Sequence, residues 1–258
     1  MSSLPRLSAI LWDVDGTLAE TERDGHRVAF NRAFEGCGLA WRWDDHYYGP
    51  LLRVSGGFER LMHDMASRAD APVSLEGRAA LARTIHAEKN RHYAELVHSG
   101  TIALRPGVMA LMRECREHGV TMGITTTTSR ANVEALLSVH LGAGWREWFA
   151  VAVCGEDVAR KKPDPEVYVR ALATLGLNPR EALAIEDSPD GAAAARAAGV
   201  PVIVARSTYF AATPIAAALA VGPGLHQRQG WQPALQAQST SREMVGLEDL
   251  EAWWRRLS

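Results

Sequence analysis

Apolar and polar residues alternate in a regular way over the second half of the chain. Between residues 105 and 205, short apolar runs of strand length alternate with segments that repeat apolar residues every three or four positions, as helices do. The predicted strands are 120–125, 150–154, 182–185 and 201–205, and the predicted helices are 108–118, 130–140, 164–176 and 190–198. This alternation is typical of a doubly wound parallel sheet with helices on both faces.

One further apolar run, residues 8–12, predicts the first strand of the same sheet. A helical block follows it directly, because no strand-like alternation occurs between residues 20 and 101. The predicted helices of this block are 22–37, 58–68 and 74–99, the last of them as one helix or two. After the sheet, residues 221–238 are rich in Gly, Pro and Gln and predict a loop, and residues 247–257 predict a final helix.

These patterns predict an α/β fold, a doubly wound parallel Rossmann-like sheet core with an inserted all-helical cap domain. We assign residues 1–20 and 102–258 to a discontinuous core and residues 21–101 to the cap. The length of 258 residues allows one large domain or a core with such an insertion.

Composition restricts the classes of partner. The net charge is −2 and the pI is about 6.5, so no basic surface favours a nucleic-acid partner. The three cysteines are far apart and predict reduced thiols in a cytoplasmic protein. The chain has no 18-residue apolar run and no signal-peptide segment, so we expect no membrane partner. We also expect a monomer.

The first strand ends in two acidic residues, Asp13 and Asp15, followed by Gly16 and Thr17. Side chains two positions apart point to the same side of a strand, so the two carboxylates lie close together and repel each other unless a cation lies between them. Oxygen ligands at this density suit Mg²⁺. The alternative is an acidic turn that only ends the strand.

Polar groups also follow three other predicted strands. The second strand ends at Thr125–Ser129, where hydroxyls and N–H groups at a helix N-terminus favour anion binding, or act as an ordinary helix cap. Lys162 precedes Pro163, and is either a ligand for a negative charge or part of a solvated basic loop. Glu186 and Asp187 end a later strand, where Asp187 alternatively caps the next helix. Together, two acidic pairs, hydroxyls and a lysine at one sheet edge favour phosphoryl transfer.

In this order, the four motifs resemble those of the haloacid dehalogenase-like hydrolases, and the helical insertion resembles the subclass that holds phosphoglycolate phosphatase and β-phosphoglucomutase. A narrower resemblance is to CbbY-type sugar bisphosphate phosphatases, which are associated with the Calvin cycle. It rests on Ala19-Glu20-Thr21-Glu22, His26 to Asn31, Trp41-Arg-Trp43-Asp44, Tyr48, Gly56-Gly57 with Glu59-Arg60, and Thr126 to Ser129.

The resemblance implies a mechanism and its residues. Asp13 is the expected nucleophile, Asp15 the expected general acid and base, and Thr126 and Lys162 the expected ligands of the transferring phosphoryl group. Mg²⁺ is the expected cofactor, bound by Asp13, Asp187 and the backbone carbonyl of Asp15, with Glu186 adjusting its site. The expected substrate-binding residues are Glu22, Tyr48, Gly56, Gly57, Arg60, Lys89, Thr127, Thr128 and Arg130. Arg60 and Lys89 suit a second, distal phosphate, or are ordinary exposed helix charges.

Phe58 departs from the family pattern, because relatives typically have lysine after the two glycines of the cap loop. Either Arg53, Arg60 or Lys89 binds the distal phosphate, or the substrate differs. We interpret His26 as structural, because nothing else in the mechanism needs an imidazole. The leading hypothesis is a Mg²⁺-dependent phosphatase of small sugar phosphates, with xylulose 1,5-bisphosphate as the narrow choice. The alternatives are a phosphoglycolate or general small-phosphate phosphatase, a phosphomutase, and a non-catalytic protein that binds phosphometabolites.

Overall fold

The computed structural model describes residues 6–234 and 243–257, and confirms the predicted fold class. In these ranges six parallel strands form one sheet, in the order β3-β2-β1-β4-β5-β6. The strands are β1 Ala9–Trp12, β2 Thr121–Thr125, β3 Val151–Val153, β4 Ala182–Glu186, β5 Val202–Ala205 and β6 Ala220–Gly222. Because β1 pairs with β2 and β4, its carboxyl end lies at the centre of the sheet edge.

The helices of the block after β1 are α1 Arg27–Gly36, α2 Asp45–Leu51, α3 Gly57–Met65 and α4 Leu75–His98. A short π-helix, Glu22–His26, leads directly into α1. The helices that follow are α5 Val108–Glu117, α6 Arg130–Leu141, α7 Glu166–Leu175, α8 Pro189–Ala197 and α9 Leu247–Trp254. Apart from short 3₁₀ turns, these helices complete the regular structure of the described residues.

The two faces of β1 bury different apolar clusters. Ile10 and Trp12 pack in one cluster with residues of α5, α6 and α9, and Ala9 and Leu11 pack in the other with residues of α7 and α8. All four β1 side chains are fully buried, because helices cover both faces of the sheet. The sheet is therefore doubly wound, as its continuous apolar strands predict.

An aromatic cluster forms a separate core in the helical block. The rings of Phe30 and Trp43 lie 4.7 Å apart, and those of Phe34 and Trp43 lie 5.0 Å apart in an edge-to-face arrangement. Burial of these large rings stabilises α1 against the segment that precedes α2. The helical block thus has an apolar cluster of its own, while Ala29 of α1 and Tyr93 of α4 pack in the cluster of the sheet.

The structure corrects the sequence-based elements at three places. Helix α2 was not predicted, because Gly49 and Pro50 obscure its short pattern. The side chain of Asp44 caps this helix by accepting a hydrogen bond from the N–H of Tyr47 at 2.7 Å.

Strand β6 lies in the predicted loop 221–238, of which residues 235–238 are outside the described residues. The predicted helix 247–257 ends as α9 at Trp254 and continues as a 3₁₀ turn. Residues 75–98 form one helix, capped by Ser74 as expected.

Candidate active site

A cavity of about 780 Å³ lies between the carboxyl edge of the sheet and the helical block. The core contributes residues that follow β1, β2, β3, β4 and β5, and the helical block contributes residues of α1, α3, α4 and the loop before α3. Parallel strands present their carboxyl ends at one edge, so the sequence motifs that end these strands meet here.

Lys162 joins two of the buried acidic residues at the base of the cavity. Its Nζ atom lies 2.7 Å from Oδ1 of Asp13 and 2.6 Å from Oε1 of Glu186, and donates a third hydrogen bond to the carbonyl of Thr125 at 2.8 Å. Although burial lowers the pKa of an ammonium group, these carboxylates hold the pKa of Lys162 well above its ordinary value. Lys162 is therefore a fixed positive charge beside Asp13.

The acidic cluster carries more negative charge than Lys162 balances. Ligand oxygens of Asp13, Glu186 and Asp187 lie within 4.8 Å of one another, and all three residues are buried. Burial raises the pKa of Asp13 to about 7, and burial together with Asp13 raises the pKa of Asp187 well above its ordinary value. Taking these carboxylates out of water is unfavourable unless protons or a cation accompany them.

The donor set fits Mg²⁺. Oε1 of Glu186 accepts hydrogen bonds from Lys162 and from the hydroxyl of Tyr168, whereas its Oε2 is buried without a hydrogen-bond partner among the described residues. Such an orphaned carboxylate oxygen beside Asp13 and Asp187 is suited to a hard cation or a water bound to one. Three of the predicted metal residues, Asp13, Glu186 and Asp187, thus lie together. The Asp15 side chain instead contacts other residues.

Asp15 is held by two side chains from the segment that enters α1. The hydroxyl of Thr21 donates to Oδ1 of Asp15 at 2.6 Å, and Nε2 of His26 lies 3.0 Å from the same oxygen. Burial opposes ionisation, but His26, Thr21 and the more distant Lys89 together hold the pKa of Asp15 below its ordinary range. Asp15 is therefore held as a carboxylate in a fixed orientation.

The loop after β2 supplies the polar wall of the cavity. The cavity is lined by Thr127, Thr128 and Ser129, whereas Thr126 is buried and its hydroxyl accepts from the N–H of Thr128 at 3.2 Å. Four consecutive threonines prevent the sequence from choosing between them, and the structure places Thr127 and Thr128, but not Thr126, in the cavity lining. Ser129 caps α6, so the N-terminus of that helix also faces this loop.

The Arg130 side chain does not line the cavity. It donates to the carboxylate of Asp157 and to the carbonyl of Ala152 at 3.4 Å, on the side of the loop toward β3. A guanidinium paired in this way stabilises the loop after β2 rather than a bound substrate. The structure therefore does not bring Arg130 together with the other expected substrate-binding residues, and its substrate-binding role stays a prediction.

Three of the expected substrate-binding residues form one network in the helical block. The Tyr48 hydroxyl lies 2.5 Å from Oε2 of Glu22, and Nη1 of Arg60 lies 2.7 Å from the Tyr48 hydroxyl. Nε of Arg60 also donates to the carbonyl of Leu51 at 3.2 Å. Glu22 and Arg60 line the cavity, whereas Tyr48 is fully buried and acts through them.

Lys89 is buried in α4 and lines the same cavity. Its Nζ atom lies 5.4 Å from the ring centre of Phe30 and 5.1 Å from that of Tyr93, and its one hydrogen bond in the described residues is a weak one to Asn90 at 3.4 Å. Burial lowers the pKa of Lys89 to about 8. Lys89 is thus a cation with little compensation, available to an anionic ligand.

The cap loop Gly56–Gly57 lines the cavity, and Phe58 lines it too while packing against the aromatic cluster. Nζ of Lys161 lies 2.9 Å from Oε1 of Glu59, so this ion pair joins the core to the first turn of α3. A Cβ atom on Gly56 would lie 2.6 Å from that ammonium group, and Gly56 has φ of +99°, so only glycine fits.

Sequence reasoning missed several residues of this site. His26 is interpreted from the sequence as structural, and the structure adds its contact with Asp15, which the sequence did not predict. Thr21, Tyr168, Ser207 and Lys161 were not identified as site residues either. Tyr168 lies within helix α7, and the sequence carries no signal for its role in the site. Ser207 follows β5, and its position after a strand end is its only signal.

The family model for haloacid dehalogenase-like hydrolases matches residues 7–199, which include all four strand-end motifs. The chain belongs to the haloacid dehalogenase-like hydrolases. Within this family it is 47% identical over 222 residues to the plasmid-encoded protein CbbY of Cupriavidus necator, covering 85% of this chain and 86% of that protein. Membership of this group of phosphatases makes the chain a phosphoric monoester hydrolase.

Solved structures of a haloacid dehalogenase-like relative match the fold. The crystal structure of CbbY from Rhodobacter sphaeroides in complex with phosphate has a TM-score of 0.80 and 39% identity, over 87% of this chain and 97% of that one. A mutant of the same protein in complex with xylulose-(1,5)bisphosphate matches with the same values. No helix of residues 6–234 and 243–257 is long and apolar enough to span a membrane.

Proposed function

We propose that this haloacid dehalogenase-like hydrolase is a Mg²⁺-dependent phosphatase of small sugar phosphates, with xylulose 1,5-bisphosphate as its substrate. The observation that carries the reaction type is Asp13, which lies between Lys162 and the acidic cluster and faces the cavity. The similarity to CbbY from Rhodobacter sphaeroides, which binds xylulose-(1,5)bisphosphate, supports the substrate.

In the first step, a carboxylate oxygen of Asp13 attacks the phosphorus atom. The new bond joins Asp13 to phosphorus, the bond from phosphorus to the sugar oxygen breaks, and the sugar oxygen takes a proton from Asp15. Nε2 of His26 and the hydroxyl of Thr21 both contact Oδ1 of Asp15, so they orient this carboxyl group for proton transfer.

In the second step, Asp15 accepts a proton from water, and the water oxygen attacks the phosphoryl group on Asp13. The bond between phosphorus and Asp13 breaks, which releases inorganic phosphate and restores the carboxylate. Lys162 stays charged throughout and stabilises the negative charge on the phosphoryl oxygens. The loop Thr127–Ser129 offers hydroxyl and N–H donors to the same oxygens.

Bound Mg²⁺ would be held by Asp13, Asp187 and Glu186, with the Asp15 carbonyl as a further candidate ligand. When bound, it would neutralise charge on the phosphoryl oxygens and on the acidic cluster. On the side of the cavity formed by the helical block, Arg60 and Lys89 supply positive charge for a second phosphate. A bisphosphate can use the cations of both the core and the helical block, which is the physical reason to prefer it to a monophosphate.

We propose further that residues 21–101 form a cap that opens and closes over a core of residues 1–20 and 102–258. The linkers at 19–22 and 101–105 are the candidate hinges, because both connect the helical block to the sheet. Closure excludes water from the cavity during phosphoryl transfer, and opening releases the products. The enzyme would act as a cytoplasmic monomer on small metabolites.

The experiment that tests the proposal is phosphate release from a panel of sugar mono- and bisphosphates in Mg²⁺, with Asp13→Asn as the matched control. We expect kcat/KM to be highest for xylulose 1,5-bisphosphate and to fall by at least about 10³-fold in Asp13→Asn, which is isosteric but a poor nucleophile. Undiminished turnover in Asp13→Asn would contradict the reaction type.

A second candidate, a general small-phosphate phosphatase, is favoured by Phe58, whose ring lies in the cavity lining near the cap loop. An apolar ring there weakens the binding of a distal phosphate and favours a smaller or less charged substrate. Equal kcat/KM for phosphoglycolate, sugar monophosphates and bisphosphates in the same panel would support this candidate. An isomerised sugar phosphate among the products would instead indicate a phosphomutase.

A further inference from the structure

The half-buried Arg105 contacts several chain segments that meet beside the acidic cluster. Its guanidinium donates to the carbonyls of Gly16, Ala205 at 2.8 Å, Arg206 at 2.6 Å and Pro223 at 3.4 Å. Arg105 thus joins the loops that follow β1, β5 and β6, and it lies itself in the second linker between the cap and the core. The proposed mechanism uses none of these contacts.

Arg105 binds carbonyls in the two backbone segments that pack on either side of Asp187, one at Gly16 (the Gly16 wall) and one at residues 205–207 (the Ser207 wall). On one side, a Cβ atom on Gly16 would lie 2.1 Å from Oδ2 of Asp187, so the Gly16 backbone packs directly on this carboxylate. On the other side, Ser207, which follows Arg206, is buried and its hydroxyl bonds to Asp187. Arg105 therefore fixes both the Gly16 wall and the Ser207 wall.

The same arginine also holds the first linker. Its backbone N–H donates to the carbonyl of Leu18 at 2.7 Å, and its Nε lies 3.5 Å from Oε1 of Glu20. The Glu20 carboxylate in turn accepts from the N–H of Thr208 at 3.2 Å, directly after Ser207. A planar guanidinium with five donors can serve this many acceptors at fixed angles, whereas an ammonium group cannot.

We propose that Arg105 is a positioning residue that holds Asp187 in place for Mg²⁺ through the backbones of Gly16, Ala205 and Arg206. This inference rests on the proposed function, because it takes Asp187 as a metal ligand. Arg105 touches neither the substrate nor the reacting atoms. Residues that orient metal ligands in this way typically contribute about tenfold to a hundredfold to metal affinity.

The test measures Mg²⁺ binding by isothermal titration calorimetry of the full chain after metal depletion, for wild type, Arg105→Lys and Arg105→Met. We expect the Kd for Mg²⁺ to rise by about tenfold to a hundredfold in Arg105→Met. The rise should be smaller in Arg105→Lys, which keeps the charge but lacks the planar set of guanidinium donors. At saturating Mg²⁺, KM for the sugar phosphate should stay within about twofold of wild type in both variants, because Arg105 does not touch the substrate.

The matched control is Arg228→Met, because Arg228 is also a partly buried arginine, but it pairs with Asp249 of α9 at 2.8 Å and does not line the cavity. Thermal unfolding of the metal-free proteins measures how much each variant is destabilised. We expect Arg228→Met to lower Tm without a change in the Kd for Mg²⁺. An unchanged Kd in both Arg105 variants, or an equal rise in Arg228→Met, would overturn the inference.

Failure of this inference is distinguishable from failure of the proposed function. If wild type binds no Mg²⁺ in the calorimeter, the proposed metal dependence fails and the role of Arg105 fails with it. If wild type binds Mg²⁺ and releases phosphate, but both Arg105 variants bind Mg²⁺ equally well, the role of Arg105 alone is wrong. Should Arg105→Met not fold, as judged by circular dichroism, Arg105→Lys gives the same comparison.

Discussion

The Nε2 atom of His26 lies 3.0 Å from Oδ1 of Asp15, and the ring of His26 stacks on that of Tyr93 at 4.2 Å. Stacking fixes the plane of the imidazole, and the hydrogen bond fixes the orientation of the carboxylate. Burial opposes ionisation of Asp15, but His26 and Thr21 hold its pKa below its ordinary range. His26 therefore sets both the orientation and the proton affinity of the residue proposed as general acid and base.

We therefore expect His26→Gln to lower kcat by about 10- to 100-fold while KM stays nearly constant, because general acid–base catalysis contributes about 10²- to 10⁴-fold. The acidic limb of the pH–rate profile should also move to higher pH, because His26 contributes most among the groups that lower the pKa of Asp15. Thr21→Val is the matched control, because it removes the other hydrogen bond to Asp15, which lowers this pKa less. Equal profiles for the two variants would contradict the larger role of His26.

The pKa of Lys89 predicts a pH dependence of substrate binding. Burial lowers this pKa to about 8, so Lys89 is charged below that pH and loses its charge as the pH rises through it. If Lys89 binds a substrate phosphate, KM should rise by about tenfold between about pH 7 and about pH 9 in wild type. Lys89→Arg, which stays charged, should show a flat KM over this range, and a parallel rise in this variant would rule the explanation out.

Removal of Mg²⁺ is expected to make stability depend on pH. The pKa of Asp13 is raised from 3.8 to about 7 in the folded, metal-free protein, so the folded state binds protons more tightly than the unfolded state. The stabilisation that comes from protonated Asp13 is fully present below the pKa of Asp13 in the unfolded chain. It is lost as the pH rises through about 7, the pKa in the folded protein.

The Tm of the metal-free enzyme should therefore fall between about pH 5 and about pH 8, and the increase in Tm on adding Mg²⁺ should grow over the same range. Differential scanning calorimetry with and without Mg²⁺ measures both trends. Asp187→Asn, which removes one carboxylate of the cluster, should show a smaller Mg²⁺ effect. A Mg²⁺ effect that is constant with pH would show that the cluster does not release protons on binding.

The ion pair between Lys161 and Glu59 predicts a contribution to cap closure. Both side chains are partly exposed, so the pair contributes only about 0.2–1 kcal/mol, and its loss should raise KM by about twofold to fivefold in Lys161→Met. Glu59→Gln should raise KM to a similar degree, and the double variant should be no worse than either single one. A lower KM in Glu59→Gln would show instead that Lys161, freed from its ion pair with Glu59, binds the substrate.

Much of the fold could be predicted because its signals are local. The apolar runs of β1 and β4 are buried on both faces, which gives continuous hydrophobic stretches that end in turn residues. Helix α2 and strand β6 were missed because they are short and are stabilised by tertiary contacts, such as the packing of Tyr48 on Trp43 and of Trp231 against Gly222. Their own residues carry little propensity.

The candidate site, like the fold, could be predicted only in part. Asp13, Lys162 and Asp187 could be predicted as one group because parallel strands must present their carboxyl ends at one edge. The contact of His26 with Asp15 could not, since it depends on how a π-helix enters α1. Which of the threonines line the cavity depends on the exact residue at which β2 ends, which a run of like residues conceals.

The central claim is that Asp13 forms a covalent phosphoryl intermediate. The most direct measurement is mass spectrometry of the peptide that contains Asp13, after rapid acid quenching of the enzyme turning over xylulose 1,5-bisphosphate in Mg²⁺. Asp15→Asn should accumulate the intermediate, because the water that hydrolyses it then lacks its base. We expect one phosphoryl group on Asp13 in the quenched enzyme. Rapid phosphate release without a phosphoryl group on Asp13, or by Asp13→Asn, would contradict the mechanism.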